Sequence, residues 1–213
     1  LNLMRVGEPM YVFYGYVEDG YDENGHIVYK NMDDDPAITA ADKTIIGDPN
    51  PDFLVNLTTA VSYKGFTLSA FFQSSIGNDI YSLSMAAQAY DYGYNGNTLR
   101  EVYYNHWTPE NPTAKYPNLD QTSYKMSDRF VYDGSFVRLK NLELAYDVPC
   151  ARNKFIKRAR VYVSAQNLFT ITSYPFWDPD INANGGGSSM IQGVDSYCYP
   201  SARTYTIGCR LTF

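Results

Sequence analysis

The sequence predicts an all-β fold, an antiparallel transmembrane β-barrel segment with long extracellular loops. Three observations carry that reading: an excess of aromatic residues, runs that alternate in polarity, and connections that alternate between short and long. The 213 residues include 21 Tyr, 11 Phe and 2 Trp, so aromatics reach 16% while charged residues fall to 19%, against a usual ~25%. Tyr and Phe favour pleated, half-buried surfaces. Tyr also suits a membrane–water interface, where one end of the ring is in an apolar medium and the other stays wet.

Period-two alternation marks a strand with two different faces. Met10 to Val17 is a first, very aromatic candidate. From Phe53 to Tyr63, Phe53, Val55, Leu57, Val61 and Tyr63 share one side, with Asn56, Thr58 and Ser62 on the other. Lys64-Gly65 follows, then Phe66, Leu68, Ala70 and Phe72 alternate with Thr67, Ser69 and Gln73 up to Ser74. Lys-Gly between two such runs reads as a hairpin turn in which Gly supplies the positive φ. Ser135 to Val148 slips phase: Val137 and Leu139 have one parity, Leu142, Leu144 and Tyr146 the other, which predicts a bulge near Lys140-Asn141. Lys157 to Phe169 sets Ala159, Val161, Val163 and Ala165 against Arg160, Tyr162, Ser164 and Gln166. In the closing run, Ala202 to Phe213, Tyr205, Ile207, Cys209, Leu211 and Phe213 oppose Thr204, Thr206, Gly208, Arg210 and Thr212.

Short turns are expected at Lys64-Gly65 and at about Pro149 to Lys157, and long connections at about 18–52, 76–134 and 170–201. Compact soluble domains rarely carry three such connections without structure of their own, whereas outer-membrane barrels pair short periplasmic turns with long extracellular loops. A periplasmic C-terminus puts both short turns on one side and all three long loops on the other. Ile207, Leu211, Phe213, Val161 and Val163 would then meet lipid, and Arg210, Arg160 and Gln166 a wet lumen. A β-sandwich has the same alternation with its apolar face in a core, so a secreted carbohydrate-binding module is the alternative; the connection asymmetry and the terminal Phe213 favour the barrel. One helix is expected in the second long connection, with Thr98 as N-cap and Glu101 completing a capping box. The tip Gly185 to Ser189 reads as flexible.

The net charge is −6 and no Lys/Arg-dense run tracks a phosphate backbone, which excludes nucleic acid as an expected partner. The cluster Arg152, Lys154, Lys157, Arg158 and Arg160 falls in a turn and reads as solvated charge. Cys150, Cys198 and Cys209 match no zinc spacing. No apolar run reaches the roughly 20 residues of a transmembrane helix, which leaves a barrel open because its strands signal weakly. The chain opens on Leu1 without a signal peptide, and a fragment of something longer is expected. Catalysis finds no motif: His26 and His106 are the two histidines, neither in a nucleophile or zinc pattern. Asp178 and Asp180 read as solvated loop charges, with a loop-rich hydrolase as the reading they would carry if paired across a substrate.

Six blocks resemble the C-terminal region of SusC/RagA-type TonB-dependent outer-membrane transporters of the Bacteroidetes, in the family's order. They are Ile46 to Phe53, Ser62 to Leu68, Gly77 to Tyr81, Asp133 to Leu144, Val163 to Phe169, and Tyr199 to Gly208 with the ending at Phe213. The resemblance implies the last strands of a barrel of about 22 strands with a plugged lumen, imports of oligosaccharides or peptides, a SusD-like surface lipoprotein as lid, and TonB as the power source. It also implies a plug domain and TonB box that lie near the family's N-terminus and are absent here. Phe213 resembles the terminal signal read by outer-membrane insertion machinery.

Two constellations are candidate sites. Asn31, Asp33, Asp35, Thr39 and Asp42 stand at the first, third, fifth, ninth and twelfth places of an EF-hand-like loop, with Ile38 at the apolar place; such a loop takes Ca2+ or Mg2+ through hard oxygens. Related transporters carry an Asp-x-Asn-x-Asp-Gly version. Here Asn31 replaces the first carboxylate, and Pro36 replaces the turn glycine, whose positive φ proline cannot adopt. The second constellation is aromatic: Tyr90, Tyr92, Tyr94, Trp107, Tyr174, Phe176 and Trp177 could stack on sugar rings, pack the loops, or meet the lipoprotein. Tyr92, Tyr94, Trp107, Tyr174 and Trp177 are the chosen substrate- or partner-binding candidates.

Overall fold

A computed structural model describes residues 1–90, 97–121, 123–150, 155–181 and 191–213. In chain order the strands are β1 (Asn2–Leu3), β2 (Val12–Gly15), β3 (Glu18–Tyr21), β4 (Ile27–Tyr29), β5 (Thr44–Gly47), and the long pair β6 (Phe53–Tyr63) and β7 (Phe66–Ile76). β8 (Asp79–Ser82) leads to helices α1 (Leu83–Tyr90) and α2 (Arg100–Tyr104); β9 (Val131–Asp133) precedes the long β10 (Phe136–Val148) and β11 (Arg158–Thr172). β12 (Val194–Asp195) and β13 (Thr204–Thr212) complete the order. These elements form two compact units. One comprises Leu1–Asn50, Asn78–Asp133 and Ile181–Cys198; the other comprises Pro51–Gly77, Gly134–Asp180 and Tyr199–Phe213.

The second unit is a five-stranded antiparallel sheet in the order β13-β11-β10-β7-β6. Its strands are the five alternating runs from Phe53 onward. Their lengths of 11, 11, 13, 15 and 9 residues meet or exceed the ~9–11 residues with which a tilted strand crosses a bilayer. β6 and β7 join through Lys64 (φ 46°) and Gly65 (φ 84°). Both central residues of this two-residue turn are left-handed, the geometry whose twist matches the flanking strands. The register breaks between Leu139 and Asn141 against both neighbours, where the phase slip predicts a bulge. β11 carries a matching irregularity the sequence reading missed: Asn141 faces Gln166 and Leu139 faces Phe169, leaving Asn167 and Leu168 extra. Asn167 has φ 51°, a conformation Asn tolerates better than most residues.

The first unit corrects the picture of long irregular connections. Residues expected to run as loops over 18–52, 76–134 and 170–201 contribute β3, β4, β5, β8, β9, β12 and both helices, in small sheets ordered β1-β2-β5, β12-β8-β9 and β3-β4. Met10 to Val17 supplies β2 to the first of these sheets, not a strand of the long one. Strands of two to four residues are too short for an alternation pattern to register. An aromatic core holds the unit together: Phe13, Tyr81 and Phe130 are buried, with ring centroids 5.8 Å apart for Phe13–Tyr81 and 6.0 Å, edge-on, for Tyr81–Phe130. The half-buried Glu18 accepts from Arg129 Nε at 2.6 Å and from the Ser127 hydroxyl at 3.0 Å, so its charge is paired and hydrogen-bonded.

The expected helix starts differently, and a second helix is present. α2 is capped at Leu99 without a side-chain hydrogen bond, while the Thr98 hydroxyl donates to the Gln88 carbonyl at 3.0 Å; Thr98 is therefore spent on a tertiary contact. The unanticipated α1 follows Ser82, whose hydroxyl accepts from the Met85 amide at 3.2 Å, an N-cap contact. Among the described residues no helix is long and apolar enough to cross a membrane, which says nothing of strands.

Gly208 faces Tyr162 across the β11–β13 pair, and a Cβ at Gly208 would run into the Tyr162 ring. The atoms struck are the far end of a side chain that can turn aside, so the cost falls below the ~1–3 kcal/mol of overpacking a rigid core. Gly208→Val is expected to lower the thermal unfolding temperature of the full-length protein, and adding Tyr162→Ala to restore part of the loss. Additive effects of the two substitutions would contradict the contact.

Candidate functional site

Register assigns every strand of the long sheet a face. Phe53, Val55, Leu57, Val61 and Tyr63 share a side with Phe66, Leu68, Ala70 and Phe72, then with Leu139, Leu142, Leu144 and Tyr146, then with Val161, Val163, Ala165 and Phe169, and finally with Tyr205, Ile207 and Leu211. Most of these large apolar residues are exposed, Ile207 at 86%. The other side carries Asn56, Thr58, Ser62, Thr67, Ser69, Gln73, Arg138, Glu143, Asp147, Arg160, Ser164, Gln166, Thr170, Thr206 and Arg210. Leu54, Phe71 and Phe136, with the small Ala60 and Ala145, are apolar exceptions there. A water-soluble sheet hides its apolar face and wets its polar one; an exposed apolar face this broad marks an interaction with something apolar. On the polar face Arg160 lies 3.4 Å from Asp147 and 3.8 Å from Glu143. A concavity of about 480 Å³ lined by Glu143, Arg158, Arg160, Tyr162, Arg210 and Thr212 opens there.

At the other end of the same face stands a group that sequence reasoning missed. Arg138 is 2% exposed and projects from β10 just before the bulge. Its guanidinium pairs with Asp178, donates from Nε to the Thr170 hydroxyl at 2.9 Å, and reaches Asp180 and the Ser201 hydroxyl at 3.4 Å each. Asp178 also accepts from the Ser201 and Asp180 amides at 2.8 and 2.9 Å. Asp178 is thus buried and spoken for, not a solvated loop charge. Burial pushes its carboxyl up, but the Ser201 amide and the Arg138 guanidinium outweigh that and hold it below the usual carboxylate range. The arrangement pins residues 178–180 and 201 over the polar face of β10 and β11, and Asn167 Nδ2 adds a bond to the Ala202 carbonyl at 2.9 Å. The legible signal was the arginine itself, a charge inside an otherwise apolar-aromatic stretch, Phe136 to Leu139.

The aromatic candidates separate. Trp177 is 64% exposed and lines a cavity of about 280 Å³ with Arg138, Asn167, Thr170, Thr172, Asp178, Pro179, Pro200, Ser201 and Arg203. Tyr174 is 4% exposed and packs near Phe176 with centroids 5.8 Å apart. Trp107 lies against the β3–β4 hairpin, where a Cβ at Gly25 would strike its ring; the indole packs a turn in the first unit. Tyr92 and Tyr94 lie outside the described residues.

The EF-hand-like loop is closed by its own amides. Asn31, Asp33 and Asp35 each accept from the backbone two residues on, at 3.0, 2.9 and 3.0 Å. Asp42, fully buried, accepts from the Met32 amide at 2.6 Å and the Thr39 amide at 2.7 Å, and these bonds, Met32 foremost, hold its carboxyl below its ordinary range. The Thr39 hydroxyl accepts from Ala41 at 3.2 Å, completing a capping box with Asp42. Both Asp42 oxygens are therefore engaged, and among the described residues no three His, Cys, Asp or Glu side chains converge as a metal would require. The loop is thus held in shape by its own backbone amides.

No protein-family model matches the sequence. The TonB-dependent receptor P3 of Formosa agariphila is 32% identical over 100% of this chain and 23% of its own length. The TonB-dependent receptor SusC of Bacteroides thetaiotaomicron is 30% identical over 98% of this chain and 20% of its own. Among solved structures, the RagAB peptide importer in its closed-closed state superposes with a TM-score of 0.80 at 26% identity, over 100% of this chain and 25% of that one; the open-open state gives 0.77 over 95% and 22%. The chain thus spans about a fifth to a quarter of the proteins it matches. Sheet, polar face and homology together define a part of a TonB-dependent receptor, a class of outer-membrane transporters and not enzymes. Within that class the chain belongs, along its full length, to the SusC/RagA-type family.

Arg138→Met would leave Asp178 buried without its cation, a loss of about 3–5 kcal/mol, seen as a lower unfolding temperature of the full-length protein. Because the folded pKa of Asp178 lies below its unfolded value, its contribution is full above the unfolded carboxylate pKa of about 3.9 and fades as pH falls through the folded one. The stability difference between wild type and Asp178→Asn should therefore shrink in that acid window; a constant difference would refute the assignment. For the self-closed loop, millimolar calcium should leave protease resistance around residues 31–42 unchanged, while Asp42→Ala opens it. Calcium-dependent protection would show that the loop does take a cation.

Proposed function

We propose that this chain is barrel wall and extracellular loop structure of a TonB-dependent importer of oligosaccharides or peptides. Its apolar face meets outer-membrane lipid, its polar face lines the lumen, and its C-terminus is periplasmic. The observation that carries the reading is the long sheet itself, apolar and exposed on one face and polar on the other. Its edges support continuation into a barrel. β6 has no charged residue from Phe53 to Tyr63 and every residue is exposed, whereas soluble proteins guard an edge with charge, proline or cover. Pairing of β6 and β13 with further strands of a closed barrel satisfies the backbone groups that lipid cannot. Eleven residues at ~3.4 Å each, tilted by about 45°, rise roughly 26 Å, close to the ~25 Å apolar band of such barrels.

A SusD-like surface lipoprotein is the expected partner on the extracellular side, in keeping with the match to RagAB, and TonB is the expected energy source, acting on another part of the receptor. A secreted carbohydrate-binding sandwich would need a cover over the apolar face, and the exposure of Val61, Ile207 and Ile171 argues against one.

The parent protein extracted in detergent should shift its gel mobility on boiling, with this segment protected from protease except in the long connections. Ile207→Arg should cost up to roughly 2–4 kcal/mol near the midplane, whereas Arg210→Ala should be tolerated. Equal tolerance of both, or a detergent-free monomer with no mobility shift, would sink the proposal.

A further inference from the structure

The cavity beside Arg138 has free chemistry that the buried ion pair does not use. Trp177 presents an exposed indole at its wall. Asn167, held at φ 51°, is anchored in the wall by its Nδ2 bond to the Ala202 carbonyl. Arg203 is exposed and has no ion pair among the described residues, in a chain whose net charge is −6. Thr170 and Ser201 are engaged by Arg138 and Thr172 by the Ser135 carbonyl and the Tyr174 amide, so the floor is rigid. About 280 Å³ falls just under the ~300 Å³ at which small-molecule sites begin, room for one monomer unit and not for a folded chain.

We propose that this cavity is a subsite for one carboxylate-bearing sugar residue of an oligosaccharide. The Trp177 indole stacks on the flat C–H face of the pyranose and Arg203 pairs with the carboxylate. A flat aromatic wall and a free guanidinium on one cavity are the complements of a uronic acid ring. A peptide also offers a carboxylate and an N–H, but the single exposed indole favours the sugar. The inference rests on the importer reading above and deepens it to a substrate class.

The test uses the full-length transporter in detergent and calorimetric titration with three probes at up to millimolar concentration: a glucuronate trisaccharide, its carboxyl-reduced neutral form, and trialanine. The glucuronate trisaccharide should bind more tightly than its neutral form, with an affinity that falls as salt rises. Arg203→Gln should weaken the acidic probe about tenfold and leave the neutral one unchanged, while Trp177→Ala should weaken both. Failure of the acidic sugar to bind, insensitivity of its affinity to Arg203→Gln, or binding of trialanine alone would each overturn the subsite. A boiling-dependent mobility shift in the same samples separates the outcomes: with the shift and no sugar binding, the subsite fails alone; without the shift, the barrel reading fails and takes the subsite with it.

Discussion

The two-faced character of the long sheet depends on one constraint, the register at a pair of facing bulges. Side chains alternate with period two, so a one-residue slip sends every side chain beyond it to the opposite face. On β10 the apolar residues change parity between Leu139 and Leu142, and the break between Leu139 and Asn141 absorbs the change. On β11 two residues, Asn167 and Leu168, are set aside at the same level, so Phe169 and Ile171 stay on the side of Val161 and Val163. Without the break on β10, half of its apolar residues would lie among the arginines and threonines of the polar face.

The same break positions the buried ion pair and the cavity. Arg138 leaves the sheet immediately before it, and Asn167 is one of the residues it sets aside. A bulge locally bends and twists a strand, which lets the segments around 178–180 and 201–203 settle against the polar face. Arg138 fixes them there through a carboxylate, two hydroxyls and a second acid. The pair is buried, so its value lies less in net stability than in specifying where the loop sits, the role best supported for buried charges.

Much of the long sheet was legible in the sequence, because its strands are long enough for alternation to show and the phase slip at Lys140-Asn141 had only one structural meaning. The faces of Ile207, Val163 and Arg210 followed from parity alone. What was not legible depended on distance. Asp178 lies 40 residues from Arg138, and nothing local distinguishes it from a solvated acid. Beyond Met10 to Val17 and one helix, the first unit was read as loop because its strands are short and its core is assembled from Phe13, Tyr81 and Phe130, residues far apart in the chain. Trp107 and Trp177 looked alike in sequence, yet one packs a hairpin and the other stands open to solvent. The oxygen spacing of residues 31–42 described a tight, self-bonded turn as well as it described a metal loop, since both arrangements aim side-chain oxygens inward.

The uncharged edge of β6 has a consequence for the life of the polypeptide before it reaches its destination. An exposed run of eleven residues with no charge, and an outer face apolar but for Thr59, is a template for pairing with any other extended chain. In water, such a segment would collapse onto its neighbours or onto other copies of itself faster than it would find a bilayer. An edge of this kind stays out of trouble only while another strand pairs with it or something covers it.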